Sequence, residues 1–219
     1  MGKVNLIITK RQREILKAFQ KDPFLRSQFY FTGGTALSLY YLQHRISEDL
    51  DFFTENPFDP DQVGSIVDNW SKQYNFETEF KQIENLTTFL LKFHDGYTLK
   101  LDFNLYQHKR VEKSKLIDGI EVDNLTDIAI NKLITIVQRT QVKDFVDLYF
   151  LLKKFTIWDL IAGVRVKFGY KTDPLLVASD FLKVENFEFL PIMIKPLKLE
   201  ELKDFFREHA KRLGKVAVE

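Results

Sequence analysis

Two carboxylates two residues apart, Asp49 and Asp51, lie in the run Glu48-Asp49-Leu50-Asp51-Phe52-Phe53. Residues i and i+2 of a strand project to the same face, so the two acids stand side by side. Like charges that close repel each other, and a divalent cation is the simplest compensation; hard Mg²⁺ takes carboxylate oxygens readily. Ahead of this pair, the apolar run Phe29–Phe31 ends in Gly33-Gly34-Thr35 and leads into a helix-like segment, Thr35 to Leu42. A Gly pair at a strand-to-helix turn offers backbone N–H groups where the helix terminus already favours anionic phosphate. A phosphate cradle beside a metal-binding acid pair is a phosphoryl-transfer site in outline.

Further groups that could do chemistry follow along the chain. His44 and Arg45 lie in the connection before the acid pair. His44 is read as structural, whereas Arg45 is suited to steadying a phosphate or to pairing with Glu48 or Glu55. In Leu99-Lys100-Leu101-Asp102-Phe103-Asn104-Leu105 the apolar residues alternate with Lys100, Asp102 and Asn104, so Asp102 faces away from the apolar set. Alternation alone would make that face the solvated side of a hairpin. Lys132 interrupts the apolar helix Ile130-Asn131-Lys132-Leu133-Ile134, where it could simply extend to water. Asp144 and Asp147, three apart on a helix, share a face.

The elements that must position these groups are legible in outline. An amphipathic helix over 8–20 buries Ile8, Ile15, Leu16 and Phe19 and stops at Asp22-Pro23. The helix Thr35 to Leu42 is expected to bury Ala36, Leu37, Leu39 and Tyr40. Asp59-Pro60 starts a helix to Tyr74 with Val63, Ile66, Val67 and Trp70 inside. Strands are expected over 75–83, 87–94 and 97–106, with Asp95-Gly96 marking a hairpin. The polar stretch Gln107 to Lys115 reads as a solvated loop. Thr126 is placed to cap a helix running from Asp127 to Arg139, and further helices follow over 158–168, 174–183 and 199–213.

The string Gly33-Gly34-Thr35-Ala36-Leu37…His44-Arg45-Ile46-Ser47-Glu48-Asp49-Leu50-Asp51-Phe52 resembles the first motif of the nucleotidyltransferase superfamily, and most nearly its AbiEii/AbiGii-toxin-like branch. The likeness continues through Leu99-Lys100-Leu101-Asp102-Phe103, the Lys132 helix and Lys143-Asp144-Phe145-Val146-Asp147-Leu148. It implies an α/β (α+β) fold, a nucleotidyltransferase-like mixed β-sheet flanked by helices, with a catalytic core over 1–120 and a helical C-terminal region over 121–219 packed on it. It implies that Asp49, Asp51 and Asp102 bind Mg²⁺ (or Mn²⁺) and act in catalysis with Lys132 and Asp144. Gly33, Gly34, Thr35, Arg45, Ser47 and Lys132 would bind an NTP. The implied reaction transfers NMP to an acceptor, left open between RNA (tRNA), protein and a small molecule, and the implied partner is a cognate antitoxin. A non-catalytic nucleotide- or partner-binding protein on the same fold is the alternative. A metal-dependent nuclease also uses clustered Asp but gives no reason for the Gly-Gly turn.

Bulk composition bounds the rest. The 219 residues carry 32 Lys plus Arg against 31 Asp plus Glu, a net charge of +1, so overall charge does not announce nucleic-acid binding. At 45% hydrophobic and 29% charged the chain is of globular type, with 21 Phe pointing to an aromatic core. There is no Cys, hence no disulfide framework or thiolate zinc site. No signal pattern and no long apolar run is found, and a cytoplasmic protein without membrane association is expected.

Overall fold

Alternation of Phe with polar residues along several strands decides how this chain folds. The computed structural model describes residues 7–218. Among them, strands β1 (Tyr30–Thr32), β2 (Leu50–Thr54), β3 (Phe76–Ile83), β4 (Leu86–Phe93), β5 (Thr98–Leu105), β6 (Lys115–Ile117) and β7 (Ile120–Val122) form one mixed sheet in the order β3-β4-β5-β2-β1-β7-β6. β1 runs antiparallel to β2, while β2 and β5 are parallel.

Register partners across the centre are Phe31 with Phe52 and Phe52 with Phe103. All three rings are fully buried. Phe19, from helix α1 (Lys10–Lys21), stacks on Phe52 at 4.0 Å between centroids. Each fully buried Phe contributes about 1.5–3 kcal/mol of transfer free energy, so this face is held firmly. Because side chains alternate, the next register row must point the other way, and a one-residue slip would expose the aromatic row. α1 opens with a capping box between Thr9 and Gln12, which satisfies two donors of its first turn.

Other elements deviate from the sequence reading for identifiable reasons. After β1 the chain makes one α-turn, α3 (Gly33–Ala36), following α2 (Pro23–Gln28), and then a π-helical segment, Leu37–Leu42, closed by Gln43 N–H donating to Ser38 O at 2.9 Å. The i→i+5 step shifts the buried stripe. Ser38 and Leu42 are inside, and Leu39 and Tyr40 are only half-buried. Helix α4 (Pro60–Tyr74) keeps Val63, Val67 and Trp70 buried as expected, while Ile66 is half-buried.

The chain divides into two compact units: the residues up to Lys109 with Lys113–Asn124, and Arg110–Glu112 with the residues from Leu125 onward. The second unit is helical, with α5 (Leu125–Gln138), α6 (Val142–Leu151), α7 (Ile157–Phe168), α8 (Pro174–Phe181) and α9 (Leu199–Val218). Here α5 starts one residue before Thr126, so Thr126 lies inside the first turn and its hydroxyl donates to Glu112 Oε1 at 2.8 Å. No helix among the described residues is long and apolar enough to cross a membrane.

Candidate active site

On the face opposite the Phe row, Thr32 is the register partner of Asp51, Asp51 of Asp102, and Asp102 of Thr88. Partners in register share a face, so two carboxylates stand on adjacent central strands between two threonines. Thr88 Oγ1 donates to Asp102 Oδ1 at 2.7 Å, and Lys100 Nζ ion-pairs with Asp102 Oδ2. Asp102 is 6% exposed and Thr32 is 2% exposed. Thr32 Oγ1 turns to Asp123 Oδ2 at 2.9 Å. Burial works against the charge on Lys100. The hydrogen bond to Asp102 and the charges of Asp102, Asp49 and Asp51 outweigh it, and the pKa of Lys100 rises. One ammonium therefore feels all three carboxylates.

Asp49 precedes β2, half-buried, and its backbone carbonyl accepts the Thr35 hydroxyl. The Gly turn is built against the acid row. Gly33 has φ +74°, a left-handed conformation, and a methyl group there would lie 2.1 Å from Asp51 Oδ2 and 2.9 Å from its Cβ. Only glycine satisfies both conditions. At Gly34 a methyl group would lie 2.6 Å from Arg45 Nη2 and 3.0 Å from Ser47 Oγ. Arg45 and Ser47, both buried, thus pack on the Gly34 backbone; Arg45 Nη1 also donates to Ile46 O at 3.0 Å, and Ser47 O accepts Gln12 Nε2 at 2.8 Å. Gly33, Gly34, Thr35, Arg45, Ser47, Asp49, Asp51 and Asp102 form one continuous neighbourhood within the first unit. Among the described residues no three His, Asp or Glu side chains are gathered closely enough to hold a metal ion as they stand.

Lys132 and Asp144 meet within the second unit. Lys132 Nζ lies 2.8 Å from Asp144 Oδ1 and 2.6 Å from Asp147 Oδ2, and Arg139 grips Asp144 with Nε at 2.8 Å and Nη2 at 3.1 Å. Both Asp side chains are fully buried. Burial alone would raise the pKa of Asp144, but Lys132 and Arg139 more than compensate and hold it below the usual carboxylate value.

Two ion-pair contacts were not foreseen from the sequence. Lys100 read only as a polar neighbour of Asp102; its i−2 position on the same strand face was the available signal. Asp127, read from the sequence as the first residue of a helix, is fully buried. It accepts Lys167 Nζ at 2.6 Å and the backbone N–H groups of Val111 and Glu112 at 3.0 Å each. The stretch 107–115 is therefore not simply a solvated loop, since its middle is fastened to helix α5.

A family model described as nucleotidyl transferase AbiEii toxin, type IV TA system, matches residues 14–215. The chain belongs to this AbiEii family. A protein of Aquifex aeolicus strain VF5, uncharacterized protein aq_aa25, is 36% identical over 157 residues, 70% of each chain. Among solved structures, JHP933 from Helicobacter pylori superposes with a TM-score of 0.59 at 24% identity, covering 99% of this chain and 94% of that one. MenT4, nucleotidyltransferase toxin Rv2826c from Mycobacterium tuberculosis H37Rv, gives a TM-score of 0.58 at 16% identity over 97% and 84%. These similarities establish the fold as that of the nucleotidyltransferases. The AbiEii match includes residues of both units.

Proposed function

We propose that this AbiEii-family nucleotidyltransferase transfers NMP from an NTP to an acceptor hydroxyl, on RNA such as tRNA or on a protein, and releases pyrophosphate. The observation that carries the reading is the register pairing of Asp51 with Asp102 beside the Gly33 turn. The acceptor oxygen bonds to the α-phosphorus in line with the departing bridge oxygen, whose bond breaks as pyrophosphate takes the electron pair. The acceptor's proton passes to a carboxylate of the row.

Asp49, Asp51 and Asp102 are assigned to a divalent ion, Mg²⁺ or Mn²⁺. The donor set supports this: hard carboxylate oxygens with a protein ammonium, that of Lys100, already resting on one of them. Such an ion, when bound, neutralises phosphate charge and lowers the pKa of the acceptor hydroxyl. Backbone N–H groups of Gly33, Gly34 and Thr35 bind the β- and γ-phosphates, with Arg45 and Ser47 beside them. The family resemblance assigns Lys132 to the nucleotide phosphates; within the helical unit its ammonium is held by Asp144 and Asp147. The family description supports a further assignment, the toxin of a type IV-like toxin–antitoxin or abortive-infection pair acting in the cytoplasm and restrained by a cognate antitoxin.

Incubation of the purified chain with each α-labelled NTP, Mg²⁺ or Mn²⁺, and total RNA or protein tests the reading. Label retained on an acceptor, and lost in Asp51→Ala, supports transfer. RNA shortening without label would identify a nuclease, and NTP binding without turnover a binding protein.

A further inference from the structure

Both oxygens of Asp102 are already engaged by the protein, Oδ1 by Thr88 and Oδ2 by Lys100. The two partners differ in how easily they can leave. Thr88 has a short, stiff side chain fixed opposite Asp102 by the β4–β5 pairing. Lys100 is anchored on the same strand at i−2, but its flexible stem leaves the side chain 41% exposed, against 8% for Asp102. In-register carboxylates without a cation repel each other, and Lys100 is a cation on the row that can also retreat to water.

We propose that Lys100 is a built-in counter-cation of the acid row. With no divalent ion bound its ammonium holds Asp102, and a divalent ion entering the row displaces it toward solvent. The inference rests on the proposed metal role of Asp51 and Asp102. It makes Lys100 a positioning residue that keeps the empty row folded and sets how readily a divalent ion is taken up. Lys92, which pairs with Glu79 on the same face of β4, touches no carboxylate of the row and serves as the internal control.

The labelling and metal-binding measurements use the full chain without nucleotide, and NTP binding is titrated separately. Lysines are labelled with an amine-reactive reagent in EDTA and in saturating Mg²⁺, and labelling is read by peptide mass spectrometry. Lys100 should react about fivefold faster with Mg²⁺, the scale of releasing one ion pair, while Lys92 stays constant. By calorimetry, Lys100→Met should bind Mn²⁺ about tenfold more tightly, the scale of one charge-assisted hydrogen bond, and Lys100→Arg should bind it as the parent does. Mn²⁺ binding in Lys100→Met but not in the parent also supports the inference.

If the parent binds the ion while Lys100 labelling and Lys100→Met affinity are unchanged, the inference fails and the proposed function stands. If Lys100→Met leaves Mn²⁺ affinity alone and weakens NTP binding instead, Lys100 is a phosphate ligand and the inference fails. If neither protein binds the ion, the metal assignment itself is wrong, and the inference falls with it.

Discussion

Asp51 and Asp102 are register partners on adjacent parallel strands, one step along from the Phe52–Phe103 pair buried on the opposite face. The placement of the acid row is thus tied to the packing of the aromatic row. Neither strand can slip by one residue without bringing Phe to the acid face and Asp into the core.

The glycines of the β1–α3 turn differ in what they protect. Gly33→Ala meets a left-handed backbone and a clash with Asp51, so a loss of about 1–3 kcal/mol is expected, together with loss of transfer as Asp51 is pushed aside. Gly34→Ala presses instead on Arg45 and Ser47, and NTP affinity should fall more than stability does. Gly64 in α4 has nothing within 4 Å of a built methyl, and Gly64→Ala should stabilise by about 0.5–1 kcal/mol. Urea denaturation of the three variants, with NTP-binding titrations, checks the ordering.

Asp144 is expected to contribute stability in a pH-dependent way. Its folded-state carboxyl titrates below the ordinary value of 3.8 because Lys132 and Arg139 overcome burial. The contribution is therefore complete above that value and fades as pH falls through the lower folded-state value. Asp144→Ala leaves Lys132 with Asp147 and deprives Arg139 of its bidentate partner, and should cost about 3 kcal/mol at neutral pH, the low end for a broken buried pair. Denaturation curves at pH 7 and below pH 3.8 should show the gap between parent and variant narrowing at the acid end; a constant gap contradicts the ion-pair account.

Asp127 and Lys167 make a second buried pair, but the two partners are not equivalent. Asp127 also accepts two backbone N–H groups, so Asp127→Ala leaves three donors without their acceptor whereas Lys167→Met leaves the amide bonds in place. Asp127→Ala should be the more destabilising, and the Val111 and Glu112 amides should exchange hydrogen faster in it. Equal exchange in both variants would mean the carboxylate does not hold that segment.

Much of this arrangement could be read from the chain. The alternation of Leu99, Leu101 and Phe103 with Lys100 and Asp102 placed Asp102 off the apolar face, and Asp95-Gly96 marked the β4–β5 hairpin. Asp118-Gly119 between Ile117 and Ile120 carried the same turn cue for β6–β7, with positive φ of 50° and 74° at its centre, but three-residue strands give little alternation to support it. The π-helical segment after Ala36 leaves no local signature, because it follows from how the turn packs. The partners of Asp127 lie 15, 16 and 40 residues away, beyond the reach of local periodicity. The β2–β5 register is likewise a long-range pairing that no local pattern encodes.

The most direct test of the account is a double-mutant cycle on α-phosphate transfer with Asp51→Asn, Asp102→Asn and the pair together. If the two carboxylates serve one centre, each single variant loses about 10²–10³-fold in rate with its fold intact, and the double variant loses little more than either. Transfer at the parent rate in Asp102→Asn would contradict it.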